Sequence, residues 1–587
     1  MAAGPSTHPF VAVAALDVGA AFSGYAFSFR TKPEDVTLFK LWGASCGIPC
    51  SFKTTTCLLL NANGELDSFG YEAQNKYLTL EEDEMNDYTF YEGFKMQLYD
   101  RKDLSRTTCV SSRNNRTCSL MDLMTFSLTY LKDSLIKHAN QQTSGDVTAS
   151  LLRWVVTVPA IWDDSAKQFM REAAVKAGLD DNTNASQLLI ALEPEAASIQ
   201  CRGTSVNSIG VEAGDRSMDS TGQLDVGTKF LVVDAGGGTL DMTAQEVLPE
   251  AQMQVLCCAN GGPFGGVRVN ELIAELLNQI YGADVMKRYR EECTADYGAL
   301  MNNIEVKKRT INREKKATFN LPISQALAEI ATDYHKKPFA ECISADMMEK
   351  GVVARSGILK IPHSMVLKAV TTITDHIVQN VDDQLKQSEV AGVSYIVMVG
   401  GFSESPVLQG AIKEQFGARY TVIIPSDAST AVLSGAVAFG HNPNVIYARR
   451  AQKTCAVEMW PPFVEGRHPE SRKVVADDGA CLVRGAVHVL VKKGEVVHRD
   501  EVRSYCVTPV YAAQPSIPIK VYRTDATDVM YADDPGMEQV KCCAVKLPGT
   551  GMHREAEVKF KFGETEVKIE AWDVLKGHMV HATYSCL

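Results

Sequence analysis

Lys229-Phe230-Leu231-Val232-Val233-Asp234-Ala235-Gly236-Gly237-Gly238-Thr239-Leu240-Asp241 decides how this chain is read. A short apolar run ends in a carboxylate and three successive glycines, which is a strand entering a tight turn. Glycine accepts φ > 0 and puts no Cβ in the way, so consecutive N–H groups can converge on an anion such as phosphate. Asp234, at the strand end, suits a hydrated Mg²⁺. The pair Asp234 and Asp241 suits metal-bound phosphate better than a bare anion, which both carboxylates would repel.

The same grammar recurs twice. Phe10 to Leu16 is apolar and runs into Asp17-Val18-Gly19, followed by Ala20-Ala21-Phe22-Ser23-Gly24-Tyr25. Downstream, Tyr395-Ile396-Val397-Met398-Val399 ends in Gly400-Gly401-Phe402-Ser403-Glu404-Ser405-Pro406 and opens the helical pattern of Val407, Leu408, Ala411 and Ile412. Two Asp-x-Gly hairpins in separate halves, with a later Gly-Gly turn, predict two related lobes facing one nucleotide. The alternative is three unrelated structural turns.

Composition sets the bounds. A chain of 587 residues holds several domains or lobes, and 45% apolar with 22% charged is ordinary globular composition. A formal charge of −12 repels a phosphate backbone and argues against nucleic-acid binding. The stretch Met1 to Pro9 has no basic signal-peptide region and no apolar run reaches bilayer length, so a cytoplasmic protein without membrane insertion is expected. Ala2 stands where myristoylation needs glycine and Cys586 is too near the end for prenylation, so no lipid anchor is expected. The sixteen cysteines fall singly or as the pairs Cys257-Cys258 and Cys542-Cys543, and Cys46-x-x-x-Cys50 has no second ligand pair; reduced thiols are the reading.

Between the turns, Phe52 to Leu60 is the clearest strand run of its region, and Asn61-Ala62-Asn63-Gly64 signals a hairpin. Glu81-Glu82-Asp83-Glu84 reads as a solvated charge run. Lys95, among Tyr91, Phe94 and Tyr99, is either a surface lysine or a functional one. Met121 to His138 has helical apolar spacing, Trp154 to Val158 is a buried strand stopped by Pro159, and Asp163-Asp164-Ser165 caps a helix to Ala177-Gly178. Leu188 to Leu192 leads into Glu193-Pro194-Glu195, where Glu193 is a site carboxylate or a helix-end charge. Residues 203–228 are small and polar and read as a flexible insertion. Gly261 to Gly266 opens a long helical region in which Glu305, Lys308 and Arg309 share a face, flanking a nucleobase or simply salt-bridged. From about residue 445 the pattern becomes alternating, with strands at Val487–Val491, Val502–Val507 and Pro518–Tyr522, and a hairpin of Glu557–Phe562 with Glu566–Ala571.

On Val155-Val156-Thr157-Val158-Pro159-Ala160, Glu193-Pro194-Glu195-Ala196-Ala197, Asp234 to Thr239, Val399-Gly400-Gly401 and Phe463 to Pro469, the chain resembles the 70-kDa heat-shock chaperone family. The likeness is strongest to its divergent heat shock 70 kDa protein 12 branch. That resemblance implies an α/β, actin-like ATPase fold over residues 10–444, of two ribonuclease-H-like lobes around ATP or ADP and Mg²⁺. Lobe I would span about 10–228 and lobe II about 229–444, with lobe I helices returning near 425–440. A β-sandwich over 445–587 would follow, without a helical lid, and contact extended polypeptides.

Carried over by position, Asp17 and Asp234 would hold Mg²⁺ through water with Glu193 beside them, and Lys95 would orient the attacking water or steady the γ-phosphate. Gly19, Ala20, Ala21, Phe22, Gly236, Gly237, Gly238, Thr239, Gly265 and Gly266 would meet phosphate. Glu305, Lys308, Arg309, Asn312, Gly400, Gly401, Phe402 and Glu404 would line the adenosine pocket, and Pro159 and Lys167 would couple nucleotide to the β-domain. Several positions depart from the family. Ala20-Ala21 replace two threonines, Phe402 and Glu404 replace a small residue and an arginine, Asn312 and Ser429 replace purine-pocket groups, and Lys167 replaces an arginine. The linker Val445-Ile446-Tyr447-Ala448-Arg449-Arg450 is not leucine-rich.

Phosphoryl transfer depends on positioning and electrostatic stabilisation, so the lost hydroxyls predict binding that outlasts hydrolysis. The expected protein is an atypical, stress-related ATP-binding chaperone-like one with weak or absent hydrolysis. It would take a polypeptide partner or client, with co-chaperone or adaptor proteins, and exchange peptide quickly. The alternatives are a nucleotide-dependent scaffold or adaptor without client refolding, and a sugar or metabolite kinase on the same fold.

Overall fold

The structure is a computed structural model that describes residues 10–585 except 41, 45–50, 82–83, 100, 102, 113–114, 144, 181–185, 204–223, 315–316, 548, 575–578 and 581. Cys46, Cys50, Glu82, Asp83, Cys586 and most of the 203–228 segment lie outside the described residues. Two compact units emerge. The first comprises Met1–Trp162, Phe169–Ala244 and Ala259–Pro443, and the second Asp163–Gln168, Gln245–Cys258 and Asn444–Leu587. No helix among the described residues is long and apolar enough to cross a membrane.

In the first unit, one sheet runs in the order Leu188–Leu192, Leu152–Val158, Ala12–Val18, Phe22–Phe29, Thr37–Leu38. The first three strands are mutually parallel, and Phe22–Phe29 returns antiparallel against Ala12–Val18. Every residue of Ala12–Val18 and Leu152–Val158 is buried, as expected of strands covered on both faces. A second sheet repeats the order: Thr421–Ile423, Val393–Val399 and Lys229–Ala235 lie side by side in parallel, and Leu240–Val247 neighbours Lys229–Ala235. In each sheet the first strand of the hairpin has seven residues with aspartate sixth, Asp17 in one and Asp234 in the other. The repeat therefore sets two carboxylates at equivalent strand ends, each followed by a glycine turn.

Helices hold these ends in place. Leu120–Gln142 buries Leu123, Leu128, Leu131 and Leu135 along one side, the stripe read from their spacing. Glu193–Gly203 starts on the glutamate that ends the Leu188–Leu192 strand. Ala431–His441 crosses it so closely that a Cβ on Gly435 would lie 1.7 Å from the Ala196 carbonyl oxygen, so only glycine lets these helices meet.

Two sequence readings are corrected. The single run Phe52 to Leu60 is broken: Thr54–Thr55 pairs with Phe22–Phe29, Cys57–Leu60 pairs elsewhere, and Phe52-Lys53 form a bend. The long helical region after Gly266 is three helices, Gly266–Tyr281, Ala283–Glu292 and Thr294–Lys308, because Gly282 at φ +101 and Cys293 each interrupt the helical backbone. The Asn61–Gly64 hairpin forms as read, joining Cys57–Leu60 to Leu66–Phe69.

The second unit contains a five-stranded sheet in the order Ala486–Val491, Thr454–Met459, Ser516–Thr524, Glu538–Lys546, Ala582–Ser585. A four-stranded sheet runs Val502–Val507, Ala556–Lys561, Lys568–Asp573, Met579–Val580. One apolar cluster takes side chains from both, including Val457, Leu490, Ile519 and Val545 from the first and Tyr505, Val558, Phe560 and Ile569 from the second. Alternation along Ala556–Lys561, buried at Ala556, Val558 and Phe560, is what a strand with one face in the core requires.

Candidate functional site

The turn after Lys229–Ala235 is built from its own backbone. Gly236 N–H donates to the Thr239 carbonyl at 2.9 Å, closing the turn. The carbonyls of Gly236, Gly237 and Gly238 accept from the amides of Gly266, Val267 and Gly265 at 3.1, 2.8 and 3.1 Å. A Cβ on Gly237 would lie 2.7 Å from Ala21 Cβ, and one on Gly238 2.5 Å from Ala20 Cβ. The two Asp-x-Gly turns therefore touch, and side chains at these glycines would drive them apart. Gly400, at φ +86, closes a third side, its amide donating to the Ala428 carbonyl at 2.9 Å.

These turns bound a cavity of about 720 Å³, within the range of small-molecule sites. It is lined by Asp17, Gly19, Ala20, Ala21, Phe22, Lys95, Pro159, Glu193, Asp234, Gly236, Gly237, Gly238, Thr239, Gly266, Glu305, Lys308, Arg309, Gly400, Gly401, Phe402, Glu404 and Ser429. Gly265 braces the Gly238 carbonyl and is not among the lining residues. Neither are Asn312, whose carbonyl accepts from His363, nor Lys167, half-buried on the helix Asp164–Lys176. Asp241 does not share the cavity wall with Asp234; it is buried and accepts the Ile161 amide at 3.0 Å, so its part is to fix the backbone beyond Pro159.

Four carboxylates gather here against two ammonium groups. Asp17 Oδ1 accepts from Thr157 Oγ1 at 3.0 Å and Oδ2 from Lys53 Nζ at 2.7 Å. Lys95, 4% exposed, donates to Glu193 Oε1 at 2.8 Å and lies 5.3 Å from the centre of the Trp162 ring. The surface alternative for Lys95 is thereby removed. Burial works to raise Asp17, but Lys53, Lys95 and Thr157 outweigh it and hold its carboxyl below the ordinary value. Glu193 is pushed up to about 7 by burial, with Asp17 and Asp241 adding and Lys95 opposing. Burial, then Glu193 and Asp241, hold Asp234 well above the usual carboxylate range. The site thus favours a cation next to Asp17 and Asp234.

At the other end, Glu305 Oε2 accepts from Asn270 Nδ2 at 2.8 Å and also from Lys308 Nζ, while Arg309 reaches Glu305 Oε1 at 3.2 Å. Lys308 also donates to the Gly266 carbonyl at 2.7 Å, and burial lowers its pKa in spite of Glu305. The Arg309 guanidinium lies 5.2 Å from the centre of the Phe22 ring. The three residues are salt-bridged as the second reading has it, and they also line the cavity.

The residues fit a nucleotide: a cavity of suitable volume, two glycine turns in contact, and a cationic and aromatic far wall. Among the described residues no group of three or more His, Cys, Asp or Glu side chains is arranged to hold a metal ion, and Asp17 and Asp234 are the cavity-wall carboxylates that could meet Mg²⁺ through water. Sequence reasoning passed over Lys53, Thr157 and Trp162. The only signal for Lys53 was a lone charge at the head of an otherwise apolar and threonine-rich run.

A family model described as Hsp70 protein matches residues 109–442. Heat shock 70 kDa protein 12A of Mus musculus is 32% identical over 612 residues, covering 96% of this chain and 90% of that protein. The chain belongs to the Hsp70 family. Heat shock 70 kDa protein 12B of Homo sapiens is 31% identical over 643 residues, 99% of this chain and 92% of that protein, so within Hsp70 the chain falls in the divergent 12-like branch. Chaperone protein DnaK of Mycoplasmopsis pulmonis is 25% identical over 365 residues, 61% of this chain and 51% of that protein. Membership in Hsp70 implies the actin-like ATPase fold, and the paired aspartate-ended hairpins of the first unit are in keeping with it.

Proposed function

We propose that this chain is an ATP-binding, chaperone-like protein with weak or absent ATP hydrolysis, whose β-rich second unit contacts a polypeptide partner. The observation that carries the nucleotide part is the single cavity walled by both Asp-x-Gly turns and by Gly400. ATP or ADP would lie with its phosphates at Gly19 to Ala21 and Gly236 to Thr239 and its base toward Glu305, Lys308, Arg309 and Phe402. Bound Mg²⁺ would supply charge neutralisation at the phosphates. Asp17, Asp234 and Glu193 would orient its water shell, and Lys95, held by Glu193, would face the terminal phosphate.

Weak turnover is supported by the methyl groups of Ala20 and Ala21, which pack on the glycine turn where hydroxyls would otherwise reach the phosphate. The same observation favours a second reading, a nucleotide-dependent scaffold or adaptor that does not refold clients. The polypeptide part is supported by Hsp70 membership and by exposed apolar side chains on the second unit, among them Val464, Val475, Tyr511 and Met530. Titration of the full chain with ATP by calorimetry tests the nucleotide site, and no heat of binding contradicts it. Refolding of a denatured reporter with co-chaperones separates the two readings, because a scaffold gives none.

A further inference from the structure

Lys53 stands where the site calls for a cation. Its ammonium is 2.7 Å from Asp17 Oδ2, and Thr157 occupies the other oxygen of the same carboxylate. Glu193 and Asp234 line the same cavity as this ion pair. The lysine side chain is 18% exposed and that of Asp17 is 6% exposed, so this is no surface ion pair. Its path is built in. The bend at Phe52-Lys53 interrupts the strand run, and the stem passes over Gly24, where a Cβ would lie 3.2 Å from Lys53 Cγ. Gly24 is the residue directly opposite Asp17 in the antiparallel pair, so a bare position on one strand gives the lysine its lane to the carboxylate on the next.

An ammonium offers three hydrogen-bond donors and no acceptor. One donor is spent on Asp17, and the others are available to a phosphate oxygen, as the water shell of Mg²⁺ would be. We infer that Lys53 is a resident cation in the Asp17–Asp234 basin, and that this chain therefore binds nucleotide with little requirement for Mg²⁺. The inference rests on the nucleotide-site reading above. A hydrated divalent ion and Lys53 compete for the same oxygen of Asp17, so the lysine also weakens metal binding in the absence of nucleotide.

The test uses the full chain, as wild type, Lys53→Met and Lys53→Arg, titrated with a fluorescent ATP analogue in EDTA and again in excess Mg²⁺. Wild-type affinity should differ less than about threefold between the two conditions, whereas Lys53→Met should weaken at least about tenfold in EDTA and recover with Mg²⁺. Lys53→Arg keeps the charge and should follow wild type. A wild type that itself loses about tenfold in EDTA, or an arginine variant that follows the methionine one, overturns the inference.

A second measurement uses Mn²⁺ alone, followed by electron paramagnetic resonance on nucleotide-free protein. Lys53→Met should bind Mn²⁺ at least about tenfold more tightly than wild type, and equal affinities overturn the inference. If the methionine variant does not fold, wild type and Lys53→Arg in EDTA still decide it. Absence of nucleotide binding in every protein and condition overturns the nucleotide-site reading instead, and the Mn²⁺ comparison still judges the resident cation.

Discussion

Glu193→Gln should flatten the dependence of folding stability on pH. In the native protein Glu193 sits among Asp17, Asp234 and Asp241 with Lys95 as its bonded cation, and its pKa rises from 4.5 to about 7, chiefly through burial. The native state thus binds this proton more tightly than the unfolded chain. Its contribution is fully present below the unfolded value of 4.5 and is lost as pH rises through about 7. At about 1.4 kcal/mol per pKa unit the full window is worth about 3 kcal/mol, of which about 2.5 falls between pH 5 and pH 8. Glutamine cannot titrate, and it removes a negative charge that helps raise Asp234, so both changes act in the same direction. Urea unfolding of wild type and variant at several pH values across that window reads the difference, with m-values compared to confirm that the same transition is followed. Curves that run parallel to within about 0.5 kcal/mol would refute the buried-carboxylate account of Glu193.

Arg554 is buried and donates to the carbonyls of Gly551, Gln514, Leu547, Gly549 and Ala512 at 2.7–2.9 Å, so Arg554→Ala removes a donor from five carbonyls, of which that of Ala512 keeps the Gly551 amide. It should cost the second unit about 3–5 kcal/mol and lower its melting transition by about 10 °C, which calorimetry reads. Gly400→Ala adds a Cβ 2.3 Å from Asp234 Oδ1 and 2.5 Å from the Ala235 carbonyl, at φ +86. A loss of at least about 2 kcal/mol in thermal stability is expected, and an unchanged melt contradicts the close approach. Arg309, 57% exposed in its side chain, pairs with Glu305 and Phe22 at the cavity rim. Arg309→Ala should weaken ATP binding about three- to tenfold with melting unchanged, and no loss leaves Arg309 a helix-surface ion pair.

What could be read from the sequence is what local pattern encodes. The three glycine turns announce themselves because each follows an apolar strand, and those turns meet around one cavity. Glu193 was marked by a strand ending at Glu-Pro, a helix start. Lys95 and Lys53 were not decidable, since their partners Glu193 and Asp17 lie 98 and 36 residues away, and no periodicity reports an ion pair made across a fold. Asp241 matched the idea of a second metal carboxylate by spacing, yet the Ile161 amide claims it. The sheet of Phe319–Pro322, Ile358–Ile361 and Val353–Arg355 leaves little pattern to read, because its strands are three or four residues long and helices separate Phe319–Pro322 from the other two. Helix breaks at Gly282 and Cys293 were hidden by an apolar stripe that continues across both.

The most direct measurement of the central claim is a single-turnover experiment with excess protein, trace γ-labelled ATP and Mg²⁺, following retained label and released phosphate in one sample. Label should be retained, and phosphate should appear slowly or not at all. Label that is never retained, with no phosphate released, would contradict that claim and take nucleotide out of the mechanism.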